Sequence, residues 1–450
     1  MKTSLRLLTV LAPALAGLNL STATTRAAWP QQYGSSGHNF GYGVATDAVG
    51  NVFAGGETGD GILGQSTLGG LDGYVAKWNS SGTLAWAQLF GTTDSDLVRG
   101  LARVGTDQVA AGGSTFGNLP GFTNVGGEDA MVRLYNSAGG TVWTRQFGTT
   151  AFESVAAVAA DGQGHLYVGG STQGSLGGAN AGNYDAFVSQ LDITTGVVNW
   201  TRQLGTINGD FGRCLAADAA GNVYLGGKAA GTLTGQTALG GYDAFVLKLD
   251  QSGNQQWLRQ FGTSSSDEAL ALAVDSTGAV LVAGFTPGTL PGASSQGVED
   301  AFVLKLDPAT GGTVWTRQFG TASYDLAFGV AVDANDQIIV GGYTGGVFPG
   351  ETTPNANADV FVRVLRPDGT VAFTDQFGGS GNLYAQGGVA VDNAGHAYLA
   401  GHTTGTLPGQ TSLGLNDAFL IQTVPEPGSA ALLLGGGALL ALRRRGGFTL

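Results

Sequence analysis

Apolar and polar residues alternate over short distances along most of this chain. In Asp243–Asp250, Phe245, Leu247 and Leu249 fall on one face while Ala244, Val246 and Lys248 fall on the other, the period-two pattern of a strand. Leu215–Ala217, Val223–Leu225 and Trp200–Leu204 are further short apolar runs nearby. Turn sequences divide them: Asp218-Ala-Ala-Gly221-Asn222 and Asp250-Gln-Ser-Gly253 put Asp, Gly and Asn where a chain reversal needs them. No sustained helical period occurs in this region. The pattern predicts four short antiparallel strands: A (Leu215–Asp218), B (Val223–Gly227), C (Ala244–Asp250) and D (Trp200–Leu204).

The same unit recurs from Trp29 to Gln422. Its opening tryptophan stands at Trp29, Trp86, Trp143, Trp200, Trp257 and Trp315, with Phe373 in the seventh place. The aspartate that opens a DAFV-like segment falls at Asp72, Asp129, Asp185, Asp243, Asp300, Asp359 and Asp417. Asp47, Asp161, Asp218, Asp275, Asp333 and Asp392 mark the A–B turn, where Val104 breaks the series. The landmarks return every 56 to 59 residues. A period of that length signals a solenoid, propeller or array. Four strands in each of seven units predict an all-β fold, a seven-bladed β-propeller of four-stranded antiparallel blades. The chain begins with a lone D-type strand, Trp29–Gly34, and ends with A, B and C strands at Gly388–Asp392, His396–His402 and Asp417–Gln422. A 3+1 closure of the last blade by the N-terminal strand would leave no free edge.

Phe261–Thr286 and Phe319–Thr344 carry an F-G-T start, a V-D turn and a following V-x-G or V-G-G segment. In these features the chain resembles the SBBP-type bacterial β-propeller repeat across all seven copies, the second (Leu101–Gly113) departing most. A kelch propeller is the nearest alternative, and both readings give a propeller. The SBBP resemblance implies extracellular repeats of largely unassigned function.

The two ends read as addresses. Residues 1–28 have Lys2 and Arg6 before the apolar stretch Leu7–Leu18, then small-residue cleavage sites at Ser21–Ala23 or Thr25–Ala27, as a secretory signal requires. At the other end, 424–450, Val424-Pro425-Glu426-Pro427 precedes an apolar run, Ala430–Leu442, within an expected short transmembrane helix, 429–442. Arg443, Arg444 and Arg445 follow it, as the positive-inside rule expects of a cytoplasmic end. This order resembles the PEP-CTERM sorting signal. The resemblance implies an exosortase-type protease acting at Pro425, Glu426 and Pro427, and a membrane-anchored precursor later passed to the cell surface or matrix.

The formal net charge is −13, and removal of both addresses leaves the ring more acidic still. Nucleic acid, which needs a basic footprint, is therefore not an expected partner. The charge favours solubility or a cationic or metal-bridged partner, while the two addresses point to exopolysaccharide or a cell-surface protein. The single cysteine, Cys214, excludes a disulfide framework and sits where other copies place Gly or Ala, so a buried thiol is expected rather than a nucleophile. In an A-B-C-D meander the long glycine-rich B–C loops and the D–A loops share one face, and loops of that kind carry function. On that face, four residues before the expected inner strand, stand Asn39, Asp96, Glu153, Asp210, Asp267, Asp325 and Tyr384.

Two readings of Asp96, Glu153, Asp210, Asp267 and Asp325 are open. They form an acidic ring for a divalent cation such as Ca²⁺ or for a cationic ligand, or each accepts N–H bonds from its own loop. Repetition favours the second. The A–B turn aspartates read as turn chemistry, the DAFV aspartates as anchors of strand C, and the tryptophans as packing between blades. His396 and His402 share a strand face and could pair on a metal, but no third ligand recurs nearby. No G-x-S-x-G, H-E-x-x-H, P-loop or EF-hand spacing occurs. The expected role is non-catalytic binding or scaffolding, without a cofactor. The alternative is an extracellular carbohydrate-active hydrolase or lyase with two carboxylates at the channel mouth.

Overall fold

The computed structural model describes residues 30–351 and 358–423. The secretory signal, Trp29 and the sorting signal with its helix 429–442 lie outside the described residues.

Seven antiparallel sheets form the fold, each with strands in the order A-B-C-D. Blade 4 shows the pattern: A is Asp210–Ala217, B is Val223–Ala229, C is Asp243–Leu249 and D is Gln255–Phe261. Strand A of each blade touches strand A of the next, and the seventh returns to the first, so the A strands ring a central channel. Seven equivalent backbone bonds lock the blades in sequence. The N–H that opens each A strand donates to the residue before the previous blade's C strand, as in Asp96–Leu71 (2.7 Å), Asp210–Tyr184 (2.7 Å) and, across the closure, Asn39–Asn416 (3.0 Å). The last blade is closed as expected: Gln31–Tyr33 pairs antiparallel with Ala418–Leu420 of Asp417–Thr423.

The core lies between blades. Strands B and C are buried on both faces, so they read as nearly continuous apolar runs, whereas strand D of blade 4 opens on two exposed residues and is buried or half-buried after them. Four tryptophans tie their blade to the next. Trp86, Trp143, Trp200 and Trp257 donate from Nε1 to carbonyls of Ser137, Ile193, Gln251 and Pro308 in the following blade's C–D turn. Every C strand starts at its expected aspartate. The A–B turn aspartates cap their turns, as Asp218 does for Ala220 N (3.0 Å) and Asn222 N (2.9 Å).

One expectation needs correction. Strand A does not begin at Leu215 but at Asp210, and it contains a bulge between Gly212 and Cys214. Equivalent bulges interrupt the A strands of blades 1 to 6, after Gly41, Val98, Val155, Gly212, Ala269 and Ala327. A bulge inserts a residue that has no partner in the ladder, so the period-two pattern breaks there. In blade 7 the strand divides altogether, into Leu383–Tyr384 and Val389–Val391. A glycine of strand B makes room for this irregular backbone. A Cβ on Gly227 would lie 1.8 Å from the Phe211 carbonyl oxygen, and one on Gly170 would lie 1.8 Å from that of Ser154.

Candidate functional site: the channel mouth

Two rows of residues, three positions apart on strand A, behave differently. The first row holds the acids singled out above. Asp96, Glu153, Asp210 and Asp325 are the first residues of their strands, Asp267 lies one residue before its own, and all five are fully buried. Each carboxylate accepts the backbone N–H of the threonine four residues earlier, at 2.6 Å in all five blades. The acids thus pin their own D–A loops and do not line the channel mouth. Burial holds the carboxyls of Asp96, Asp210, Asp267 and Asp325 above the usual range, while threonine hydroxyls and amides pull them back.

Space near these acids is already filled. A Cβ on Gly91 would lie 2.0 Å from Asp72 Oδ1 and 2.8 Å from Asp96 Oδ2, so glycine backbone occupies the gap between the two carboxylates. Among the described residues, no three His, Cys, Asp or Glu side chains are grouped to hold a metal. The blade 7 member of the row is also corrected. Leu383, opposite Thr403, takes the place that Asp325 takes opposite Thr344, so Tyr384 belongs one residue further in. In blade 1 the place is held by Asn39, whose amide oxygen accepts Thr58 Oγ1 at 2.8 Å.

The second row consists of the bulge residues. They are Tyr42, Arg99, Ala156, Arg213, Leu270 and Phe328, with Gln386 in the break of blade 7. All seven line one cavity of about 440 Å³ in the channel. No two neighbours in this ring are alike. Sequence reasoning missed the row because neighbouring blades share no residue type in it; the available signal was its fixed spacing of three residues after the buried row.

Chemistry divides this mouth unequally. Across blades 6, 7 and 1 it is aromatic. His38, Phe40 and Tyr42 make a ladder with centroids 6.0 and 5.9 Å apart and interplanar angles of 3° and 14°. Phe328 stacks on Tyr343 at 5.5 Å, and Tyr343 meets Tyr384 edge-on at 5.1 Å. His402 sits between Phe40 (4.7 Å) and Tyr384 (5.2 Å), and its buried Nδ1 has no hydrogen-bond partner. Burial lowers its pKa to about 4, so it is neutral at pH 7.

Opposite, at blades 4 and 5, lies an ion network. Glu268 accepts Arg213 Nε at 2.7 Å and Lys228 Nζ at 2.9 Å, and both cations also lie over the Phe211 ring. Between the two regions, Arg99 lies over the Tyr42 ring at 4.3 Å, and the Tyr42 hydroxyl donates to Glu57 Oε1 at 3.3 Å. Glu57 is raised by burial, with Arg99 and the Tyr42 hydroxyl opposing the shift. Its Oε2 is buried without a partner. Glu128 is likewise raised by burial, with Ser114 and Arg99 opposing. Burial, then Glu57, pushes the Tyr42 hydroxyl up to about 12.

The remaining candidates are structural in geometry. Cys214 is buried in the small-residue position after the bulge, 3.6 Å from the Ala269 carbonyl, and burial pushes its thiol up. His396 precedes strand B and bonds Asp392 at 2.8 Å, while His402 lies at the strand's far end. Six residues of extended chain span roughly 20 Å, so the two do not meet on one ion. Pro425, Glu426, Pro427, Arg443, Arg444 and Arg445 lie outside the described residues.

The fold is that of a β-propeller, and a family model agrees over one repeat. Residues 199–233 match the family model described as Beta-propeller repeat (SBBP). The regulatory protein FlaEY of Caulobacter vibrioides is 27% identical over 401 residues, covering 80% of this chain and 41% of that protein. An uncharacterized WD repeat-containing protein of Acanthamoeba polyphaga mimivirus is 23% identical, covering 43% of this chain and 18% of the other. The chain therefore spans less than half the length of these curated relatives. Among solved structures, the Neurospora crassa Pan2 WD40 domain is similar at 13% identity, covering 86% of this chain and 89% of that one with a TM-score of 0.48.

Proposed function

We propose that this chain is an exported cell-surface or matrix propeller that binds a polysaccharide through its D–A/B–C loop face without turning it over. The observation that carries this reading is the ring of seven residues around one cavity, no two neighbours alike, with the aromatic arc of blades 6, 7 and 1 on one side. Half-exposed aromatic faces beside paired polar groups suit a ligand with apolar faces and hydroxyl edges. The two terminal addresses support export, followed by sorting through an exosortase-type protease with transient membrane anchoring. The regulatory and WD-repeat relatives support a binding role, although each is much longer than this chain.

A second reading is a carbohydrate-active hydrolase or lyase. It is favoured by one observation: Glu57 and Glu128, both held above the usual carboxylate range, share Arg99 as a neighbouring charge. Size-exclusion of the producing organism's exopolysaccharide, with and without purified protein, separates the readings. Co-elution at unchanged polymer size supports binding. Progressive shortening overturns it in favour of the enzyme.

A further inference from the structure

Ion-pairing chemistry balances the charges in the mouth although the ring as a whole is acidic. Arg213 and Lys228 are both taken by Glu268, at 2.7 and 2.9 Å. Arg99 lies on Tyr42 with Glu57 and Glu128 acting on it. Two buried polar atoms of the arc stay unmatched. Glu57 is 6% exposed and His402 9% exposed, yet Glu57 Oε2 and His402 Nδ1 have no partner. Buried polar atoms of this kind are normally satisfied, so each unpaired one calls for a ligand group or water. Both flank the ladder of parallel rings that runs from exposed His38 through Phe40 to Tyr42, whose far end lines the cavity.

Resting on the polysaccharide-binding reading, we infer that the arc around Phe40, Tyr42, Glu57, Arg99, Phe328 and His402 is a subsite for an uncharged saccharide chain. Sugar-ring faces pack on the ladder and on Phe328, where C–H groups meet aromatic faces. Hydroxyl groups on the ring edges donate to Glu57 and accept from Arg99, the two planar side chains able to make paired bonds. An anionic polymer gains little from Arg213 and Lys228, already paired with Glu268, or from Arg99, whose charge acts on Glu57 and Glu128, and it meets repulsion from a chain of net charge −13.

Three oligosaccharide probes test this on the full chain by titration calorimetry: a neutral glucan, a polyuronate and a glucosamine oligomer. The neutral probe is expected to bind best. Glu57→Gln and Phe328→Ala should each weaken it by roughly tenfold or more. Val314→Thr, exposed on the outer strand Thr313–Phe319 away from the cavity, should leave binding unchanged, and thermal melts of all three variants check that the fold is kept. Equal or tighter binding of the polyuronate or glucosamine oligomer overturns the uncharged class. If the native polymer co-elutes while folded Glu57→Gln and Phe328→Ala bind the neutral probe as wild type, the subsite is overturned and the binding reading stands. If no probe binds and the native polymer does not co-elute, the binding reading itself fails.

Discussion

Asp210 and Arg213 lie three residues apart on one strand, and the contrast between their rows explains the molecule. Asp210 belongs to a row that recurs as an acid in five blades, is fully buried and holds the D–A loop through Thr206. Arg213 belongs to a row of seven residues facing one cavity, in which no two neighbours are alike. Selection for blade geometry repeats itself in every blade, because every blade faces the same closure problem. Selection for a ligand does not, because a ligand breaks the ring's symmetry. Repetition here marks scaffold, and its absence marks the site proposed above.

The contrast can be broken most severely on the scaffold side. Gly227→Ala pushes a Cβ to 1.8 Å from a backbone carbonyl that cannot give way. It should cost roughly 3 kcal/mol or more in denaturant unfolding, as overpacking against backbone does. Near-wild-type stability would show that the bulge is free to relax. The next effect is a pH dependence at His402. Its folded pKa lies near 4, below the unfolded value near 6.5, so the unfolded chain binds the extra proton between those limits. Stability should fall as pH drops from about 6.5 to about 4, by on the order of 3 kcal/mol. The raised acids Asp96, Asp210, Asp267 and Asp325 slope the other way, favouring the fold as they protonate. The difference between wild type and His402→Gln isolates the histidine, and identical pH profiles would contradict this account.

Smaller effects sharpen the comparison. Asp210→Ala strands the Thr206 N–H and hydroxyl and should cost about 2 kcal/mol. Asp210→Asn should cost under about 1 kcal/mol, because Asn39 already serves at this place in blade 1. Smallest of all, Ala156→Ser in the channel row should change stability by no more than about 0.5 kcal/mol, since its side chain supports no blade. A cost there matching that of Asp210→Ala would erase the distinction between the rows.

Much of the scaffold was legible in the sequence. The tryptophan period, the Asp-x-x-Gly turns and the phase of the last blade led to seven blades and their closure, because each feature solves a local backbone problem that recurs. Strand A was misread for the same kind of reason. The bulge at Arg213 breaks the alternation, so the pattern pointed to a strand starting at Leu215 and left Asp210 in a loop. A fully buried acid also runs against the usual exposure of charge, and the bonds from Thr206 N and Oγ1 and the Ala230 backbone explain it. Gln203 was overlooked as well. It joins Gly174 O to Asp185 Oδ2 at 2.9 and 2.8 Å, and Gln146, Gln260, Gln318, Gln376 and Gln32 do the same in other blades. The mouth itself had no sequence signature. Tyr42, Phe328 and Gln386 come together only because the ring closes.

The central claim is that the unlike row, and not the repeated acids, engages the ligand. Retention of the native exopolysaccharide on size-exclusion should be compared between two sets of folded variants. One set carries Asp96→Asn, Glu153→Gln, Asp210→Asn, Asp267→Asn or Asp325→Asn singly; the other carries Tyr42→Ala, Arg99→Ala or Phe328→Ala. Retained co-elution in the first set and loss in the second is the predicted result. Loss in the first set with retention in the second would contradict the claim and return the site to the acidic row.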